Sequence, residues 1–256
     1  MKRMMLGMAA LCAIAIAGLA AAHDGKHPAS AAQVAAALAD PARADQASDD
    51  ARRHAADILA FTGVGPGSKV VDLLPGGRYY WTRMFSPIVN ETGKVYPMWP
   101  QVAAARAEKA AAALDGWHLA NVTNTITPAN VPTLGAADGT IDIVYTNENY
   151  HDIANLPGGE AALDANNAAV FKVLKPGGVY VIVDHADAAG TGLTGTSTKH
   201  RIDPAVVKAE VLKAGFTFAG ESKVLANPAD DHSKNVFDPA IRGHTDQFAY
   251  KFRKPL

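Results

Sequence analysis

Three histidines stand where apolar runs give way to loops. His151 follows residues 141–146 and the polar step Asn147-Glu148-Asn149-Tyr150. His185 comes directly after Asp184, the acid that ends the run 179–184. His200 sits in Lys199-His200-Arg201, after the run Gly190-Thr191-Gly192-Leu193-Thr194-Gly195. An imidazole titrates near pH ~6.5, so each ring can take or hold a proton near neutrality, and neutral imidazole is also a common metal ligand. No His-x-His or His-x-x-x-Glu spacing joins the three, so the sequence assigns no metal site. A glycine-bearing connection that ends in basic residues has the composition of a lid closing on a ligand, or of a solvated loop. A further feature is Asp72-Leu73-Leu74-Pro75-Gly76-Gly77, an apolar run that reaches an acid and then a glycine pair. Two glycines let backbone approach a ligand closely, and a helix opening after them aims free N–H groups at an anion. The same residues also suit a plain strand-to-helix turn. Arg242-Gly243-His244-Thr245-Asp246 is a polar cluster that can serve simply to hold a long loop, and His23 and His27 fall in a low-complexity N-terminal stretch.

The elements that must position these residues alternate. Strands are expected at residues 69–74, 94–98, 119–126, 141–146 and 179–184, each a short apolar run bounded by turn residues. Helices are expected between them: Trp81, Met84, Phe85 and Ile88 recur at helical spacing, residues 101–114 are Ala-rich without a breaker, and residues 159–174 carry Leu163, Val170, Phe171 and Leu174 on one side. Asp203-Pro204 reads as an N-cap with proline in the first turn, and Gly215 as the C-terminal stop. Residues 216–225 and 247–252 are the last two strands, and residues 45–61 read as a helix ahead of the first strand. Buried strands separated by helices give an α/β fold, doubly wound, with a mostly parallel sheet and helices on both faces.

Composition sets the outer bounds. The 256 residues, 48% hydrophobic and 19% charged, suffice for a large core, and a net charge of −1 lacks the basic excess of a dedicated nucleic-acid binder. Lys2 and Arg3 precede the apolar run 4–19 and then Ala20-Ala21-Ala22, the three parts of a secretory signal peptide, with cleavage expected after Ala22. Removing Lys2 and Arg3 moves the net charge from −1 to −3, and removing the sole cysteine, Cys12, leaves no thiol for a disulfide or metal. The expected organisation is residues 1–22 as signal peptide, 23–44 as an Ala-rich tail with a short helix, and 45–256 as the folded domain. The expected location is the periplasm or the exterior, with no membrane contact beyond export.

Over residues 49–254 the chain resembles a class I S-adenosylmethionine-dependent methyltransferase, of the exported "predicted methyltransferase" type. Four segments carry the likeness in order: Gly65-Pro66-Gly67-Ser68-Lys69-Val70-Val71-Asp72-Leu73-Leu74-Pro75-Gly76-Gly77, Asp138-Gly139-Thr140-Ile141-Asp142-Ile143-Val144, Val173-Leu174-Lys175-Pro176-Gly177-Gly178-Val179-Tyr180-Val181-Ile182, and Ala214-Gly215-Phe216 with the final strand pair. The resemblance implies a seven-stranded Rossmann-like sheet ordered 3-2-1-4-5-7-6, with the last strand antiparallel. It implies S-adenosylmethionine as cofactor, held by Asp72, Pro75, Gly76, Gly77 and Asn147, with Trp99 stacking on adenine. The run Asn149-Tyr150-His151-Asp152-Ile153 is similar to the His-Asp pair of small-molecule O-methyltransferases. This makes His151 the implied general base, with Asp152 orienting it or capping a turn, and His185 and His200 facing the same crevice. The chain departs from the family's pattern at Leu74 and Arg78, which replace loop glycines. It departs again at Tyr96-Pro97-Met98-Trp99-Pro100, where no acid stands to hold the ribose.

Two functions are therefore expected to compete. One is methyl transfer to a small molecule, in its finer form O-methylation with a histidine base. The other is an exported methyltransferase-fold protein that no longer uses S-adenosylmethionine and acts as a small-molecule binder or a cofactor-free acid–base enzyme. A tethered scaffold module has only the N-terminal stretch in its favour. Substrate and oligomeric state stay open.

Overall fold

The computed structural model describes residues 27–127 and 137–256. The expected signal peptide, Cys12 and His23 lie outside these residues. The sheet is built from β1 (Lys69–Leu73), β2 (Lys94–Trp99), β3 (Thr125–Ile126), β4 (Ile141–Asn147), β5 (Leu174–His185), β6 (Thr217–Ser222) and β7 (Gln247–Arg253). Its order is β3-β2-β1-β4-β5-β7-β6, with β7 antiparallel to both neighbours and the other pairings parallel. That is the expected architecture.

Side-chain alternation divides the core. Val71, Leu73, Val144, Tyr180 and Ile182 face one way, onto α5 (Tyr150–Ala154), α6 (Glu160–Val173) and α7 (Pro204–Lys213). Val70, Ile143, Tyr145, Val181 and Val183 face the other way, onto α1 (Ala31–Leu38), α2 (Ala55–Thr62) and α3 (Tyr80–Val89). Period-two side chains buried on both faces require cover on both faces, and the helices supply it. A smaller cluster seats α4 (Ala104–Gly116) through Ala107, Ala110 and Leu114 on Tyr79 and Trp99.

Several expected boundaries move, each for a local reason. The Ala-rich stretch is not a tail from residue 30 onward. Ser30 and Gln33 form a capping box, and the helix they start buries Val34 and Ala37 against the second core cluster. The chain entering α1 passes so close to Gly65 that a Cβ there would meet the His27 carbonyl oxygen at 1.9 Å. The helix expected over residues 45–61 begins only at Ala55, after a left-handed His54. Ahead of it the acids are engaged elsewhere: Asp45 pairs with Arg83 at 2.8 Å, Asp49 with Arg78 at 3.0 Å and Asp50 with Arg43 at 2.7 Å. The third strand shrinks to two residues. The fifth starts five residues early, because Lys175-Pro176-Gly177-Gly178 runs on within the strand, with a register shift opposite Ile141 and Ile143. Among the described residues no helix is long and apolar enough to cross a membrane.

Candidate functional site

The strand order reverses between β1 and β4, and in such sheets the crevice beyond the strand ends at that point is where ligands bind. A cavity of about 410 Å³ lies there, within the usual range for small-molecule sites. Its walls come from the turn after β1 (Leu74, Pro75, Gly76, Gly77, Arg78), the last residue of β4 and the two after it (Asn147, Glu148, Asn149), and Asp49 and Arg53 from the N-terminal segment. Gly76 has φ +70°, and a Cβ added at Gly76 or Gly77 would meet no heavy atom within 4 Å. The glycine pair therefore leaves open space instead of fitting tightly against protein.

Both strands end in a left-handed residue that is not glycine: Leu74 with φ 57° after β1 and Glu148 with φ 57° after β4. Such conformations cost on the order of 1–2 kcal/mol and gather at ligand sites. Leu74 thus takes up a glycine-like backbone, and its side chain packs partly into the main core cluster, so it does not plug the crevice. Its N–H donates to the Met98 carbonyl at 2.9 Å, and Asn149 Nδ2 donates to its carbonyl at 2.8 Å, which ties the two loops together. Arg78 is drawn outward to Asp49, and the Asp45 carbonyl accepts from it too.

The electrostatics of the crevice are mixed. Asp72 is buried at its floor, and burial pushes its pKa up to about 7 against the hydrogen bonds of Thr82, whose Oγ1 donates at 2.6 Å. Glu148 is partly buried, but Arg53, His185 and Gln247 outweigh desolvation and hold its pKa below the usual value. Arg53 pairs with Glu148 at 3.3 Å and lies over the Tyr80 ring at 4.9 Å. A second cavity of about 480 Å³ shares Asp49, Arg53, Arg78, Glu148 and Arg242 with the first and reaches His185, Phe237 and Gln247. Gln247 Nε2 donates to Glu148 Oε1 at 3.1 Å and lies 3.2 Å from His185 Nδ1. That amide nitrogen can only donate, while Thr245 Oγ1, nearer to the same Nδ1 at 2.8 Å, can donate or accept, so the tautomer of the ring turns on the Thr245 hydroxyl. Burial lowers the pKa of this ring and keeps it neutral near neutrality.

His185 lines the second cavity, whereas His151 and His200 meet each other and line neither of the two. His151 is buried at the start of α5. Its backbone N–H donates to Asp184 Oδ2 at 2.8 Å, and its Nδ1 lies 2.8 Å from Asp184 Oδ1. Asp184 Oδ1 also accepts the His185 N–H at 2.8 Å. Burial opposes ionisation of Asp184, but His151 and His185 together hold its pKa below the usual value, so Nδ1 of His151 carries a proton. Burial also opposes charge on His151, yet Asp184, Asp152 and Glu148 leave its pKa raised. Its Nε2 faces His200 Nδ1 at 3.2 Å and Asp152 Oδ1 at 3.4 Å. His185 stands 6.3 Å away, ring centre to ring centre.

Of the residues expected to bind cofactor, Asp72, Pro75, Gly76, Gly77 and Asn147 line the first cavity. Trp99 does not, which corrects that expectation. Its indole is buried against the edge of Tyr79 at 5.8 Å, and its Nε1 donates to Asn124 at 3.2 Å, so no face is left for adenine. Asp152 is half-exposed and makes no contact that orients His151 Nδ1; Asp184 does that. Sequence reading missed Asp184, Glu148, Arg53 and Asn149 as site residues. A buried strand ending in an acid directly before a histidine was the one available signal.

Comparison with solved structures finds the same overall fold. The chain matches a SAM-dependent methyltransferase from Aquifex aeolicus (TM-score 0.56, 19% identity, 88% of this chain and 98% of that one). It also matches a putative sarcosine dimethylglycine methyltransferase from Galdieria sulphuraria (TM-score 0.57, 16% identity, 84% and 91%). This is the class I methyltransferase fold. The [4+2]-cyclase SpnF matches as well (TM-score 0.60, 14% identity, 90% and 97%), so the name attached to the fold does not by itself fix the reaction. No protein-family profile matches the chain, and no curated protein matches it in sequence.

Proposed function

We propose that the protein is an S-adenosylmethionine-dependent methyltransferase acting on a small molecule. One observation carries the reading: the open cavity of about 410 Å³ at the β1–β4 switch point, floored by Asp72 and edged by an unobstructed glycine pair. The residues present fit the amino-acid half of the cofactor. Arg53 and the N–H groups after Gly77 suit a carboxylate, while Asp72, Glu148 and the loop carbonyls suit an ammonium group. When bound, S-adenosylmethionine supplies an electrophilic methyl group. The adjoining cavity, with His185, Arg53 and Arg242 on its wall, suits an acceptor bearing an anionic or hydrogen-bond-accepting group. The finer form, transfer to a hydroxyl with His151 as base, requires His200 to move off His151 Nε2.

Calorimetry of the full chain with S-adenosylmethionine and S-adenosylhomocysteine tests the reading. Saturable heat for both is expected, and its absence for both, with no thermal shift, removes the methyltransferase function. The second reading, a binder that has given up this cofactor, draws on one specific feature. β2 ends at Trp99-Pro100 and lends no carboxylate for a ribose. Heat with acidic small molecules but none with either nucleoside would favour it. Export belongs to the proposal too and rests on residues 1–22; N-terminal sequencing of the protein secreted by its own cells, starting at His23, would bear it out.

A further inference from the structure

The trio that lines neither of these two cavities calls for a different account from the crevice itself. His151 Nε2, His200 Nδ1 and Asp152 Oδ1 converge within 4.8 Å of one another, with separations of 3.2, 3.4 and 3.9 Å. We propose that His151, Asp152 and His200 bind one divalent transition-metal ion of the zinc class. This goes beyond methyl transfer and does not depend on it.

The geometry argues as follows. Nitrogen and oxygen ligands 2.0–2.2 Å from a tetrahedral ion stand about 3.3–3.6 Å apart, whereas neighbouring ligands of an octahedral ion at similar distance stand nearer ~3.0 Å. Two of the observed separations fall close to the tetrahedral edge. The third, between His200 and Asp152, is wider, and it joins the two side chains that solvent reaches, 31% and 49% accessible, where closing by a few tenths of an ångström meets least resistance. The buried member is the one already fixed. Asp184 holds the Nδ1–H of His151 at 2.8 Å and its backbone N–H at 2.8 Å, which leaves Nε2 as the bare nitrogen aimed at the trio. A carboxylate gripping the far side of a ligand histidine is the usual outer support of a metal site. Carboxylates are at hand as well, Asp152 within the trio and Asp184 on the far side of His151. Two imidazoles and one carboxylate suit zinc or ferrous iron better than magnesium or calcium. Three protein ligands and an exposed side leave room for a fourth, exchangeable ligand, the arrangement of a catalytic and not a structural ion.

The two sequence-distant loops explain why spacing gave no warning. His151 and His200 are 49 residues apart and meet only because β4 and β5 are neighbours in the sheet. With an ion present, His151 is a ligand and not a base, and the ion itself would lower the pKa of a bound water or hydroxyl.

The test uses untagged full-length protein stripped with a chelator and titrated with Zn²⁺ and Co²⁺, followed by calorimetry and visible absorption. One equivalent of each is expected to bind, with Co²⁺ giving the intense visible bands of a low-coordinate site. His200→Asn and Asp152→Asn, both at partly exposed positions and checked by circular dichroism, should each weaken binding at least 100-fold. Asp184→Asn should weaken it about 10–100-fold by releasing the ring of His151. Failure of the stripped wild type to bind either ion stoichiometrically overturns the proposal, and so does binding unchanged in both His200→Asn and Asp152→Asn. Neither readout involves methyl transfer, so loss of the methyltransferase reading leaves this result standing, and the reverse holds.

Discussion

The β1–β4 end of the sheet and the β4–β5 end solve opposite problems with similar residues. At the first, two left-handed residues and a glycine pair hold backbone away from a space that the protein leaves unfilled. At the second, Asp184 accepts three N–H groups and the histidines close over one another. One end is shaped for a guest of molecular size. The other brings two imidazoles and a carboxylate within 4.8 Å of one another. Charge alone does not distinguish them, since both hold buried carboxylates; the number of donors facing each carboxylate does. Asp72 is met by the hydroxyl and backbone of one residue, Thr82, and is pushed towards neutrality, whereas Asp184 accepts three N–H groups, two of backbone and one of the His151 ring, beside two histidines that favour its charge, and stays ionised.

The comparison is most severely tested by Asp184→Ala. It leaves three buried N–H groups without their acceptor, and we expect a loss of about 3–5 kcal/mol in urea unfolding. A loss under ~1 kcal/mol would mean that the β4–β5 end is far looser than described. Gly77→Val sharpens the other side. Its backbone is not left-handed and the added atoms enter open space, so the fold should hold while S-adenosylhomocysteine binding weakens about 10–100-fold, or 1.4–2.7 kcal/mol. Unchanged affinity would place any cofactor elsewhere.

How much of this was legible beforehand depends on how local each cause is. β1, β4 and β5 could be read because β-branched runs between turn residues bury both faces wherever they occur, as in Lys69–Leu73. The late start of α2 could not, because it depends on Asp45 and Asp49 reaching Arg83 and Arg78 some thirty residues on. The glycine crevice was legible because its residues are contiguous. Trp99 was misjudged because sequence gives the end of β2 but not the direction of a ring, which Tyr79 and Asn124 decide. The partner of His151 lies 33 residues away, so only the fold could name Asp184 in place of the adjacent Asp152.

A pH series separates the two carboxylates. Asp72 titrates at about 7 in the folded protein and near 3.8 when unfolded. Between those values the folded state binds the extra proton, so this group's stabilisation is complete below pH ~4 and is lost as pH rises through 7. Asp72→Asn should remove that slope, and a wild-type stability that rises from pH 4 to 7 by the same amount in the variant would contradict the assignment. The smallest effect belongs to Trp99→Phe. Losing the Nε1–H bond to Asn124 should cost about 0.5–1.5 kcal/mol and leave nucleoside affinity as it was. A fall in affinity without a fall in stability would return the indole to the binding surface.

A crystal grown with S-adenosylhomocysteine addresses the main proposition directly. The account predicts electron density for its amino-acid end over Pro75–Gly77, within reach of Arg53 and Asn147. Crystals saturated with the compound that show the crevice holding solvent alone, or the compound bound away from β1 and β4, would contradict it.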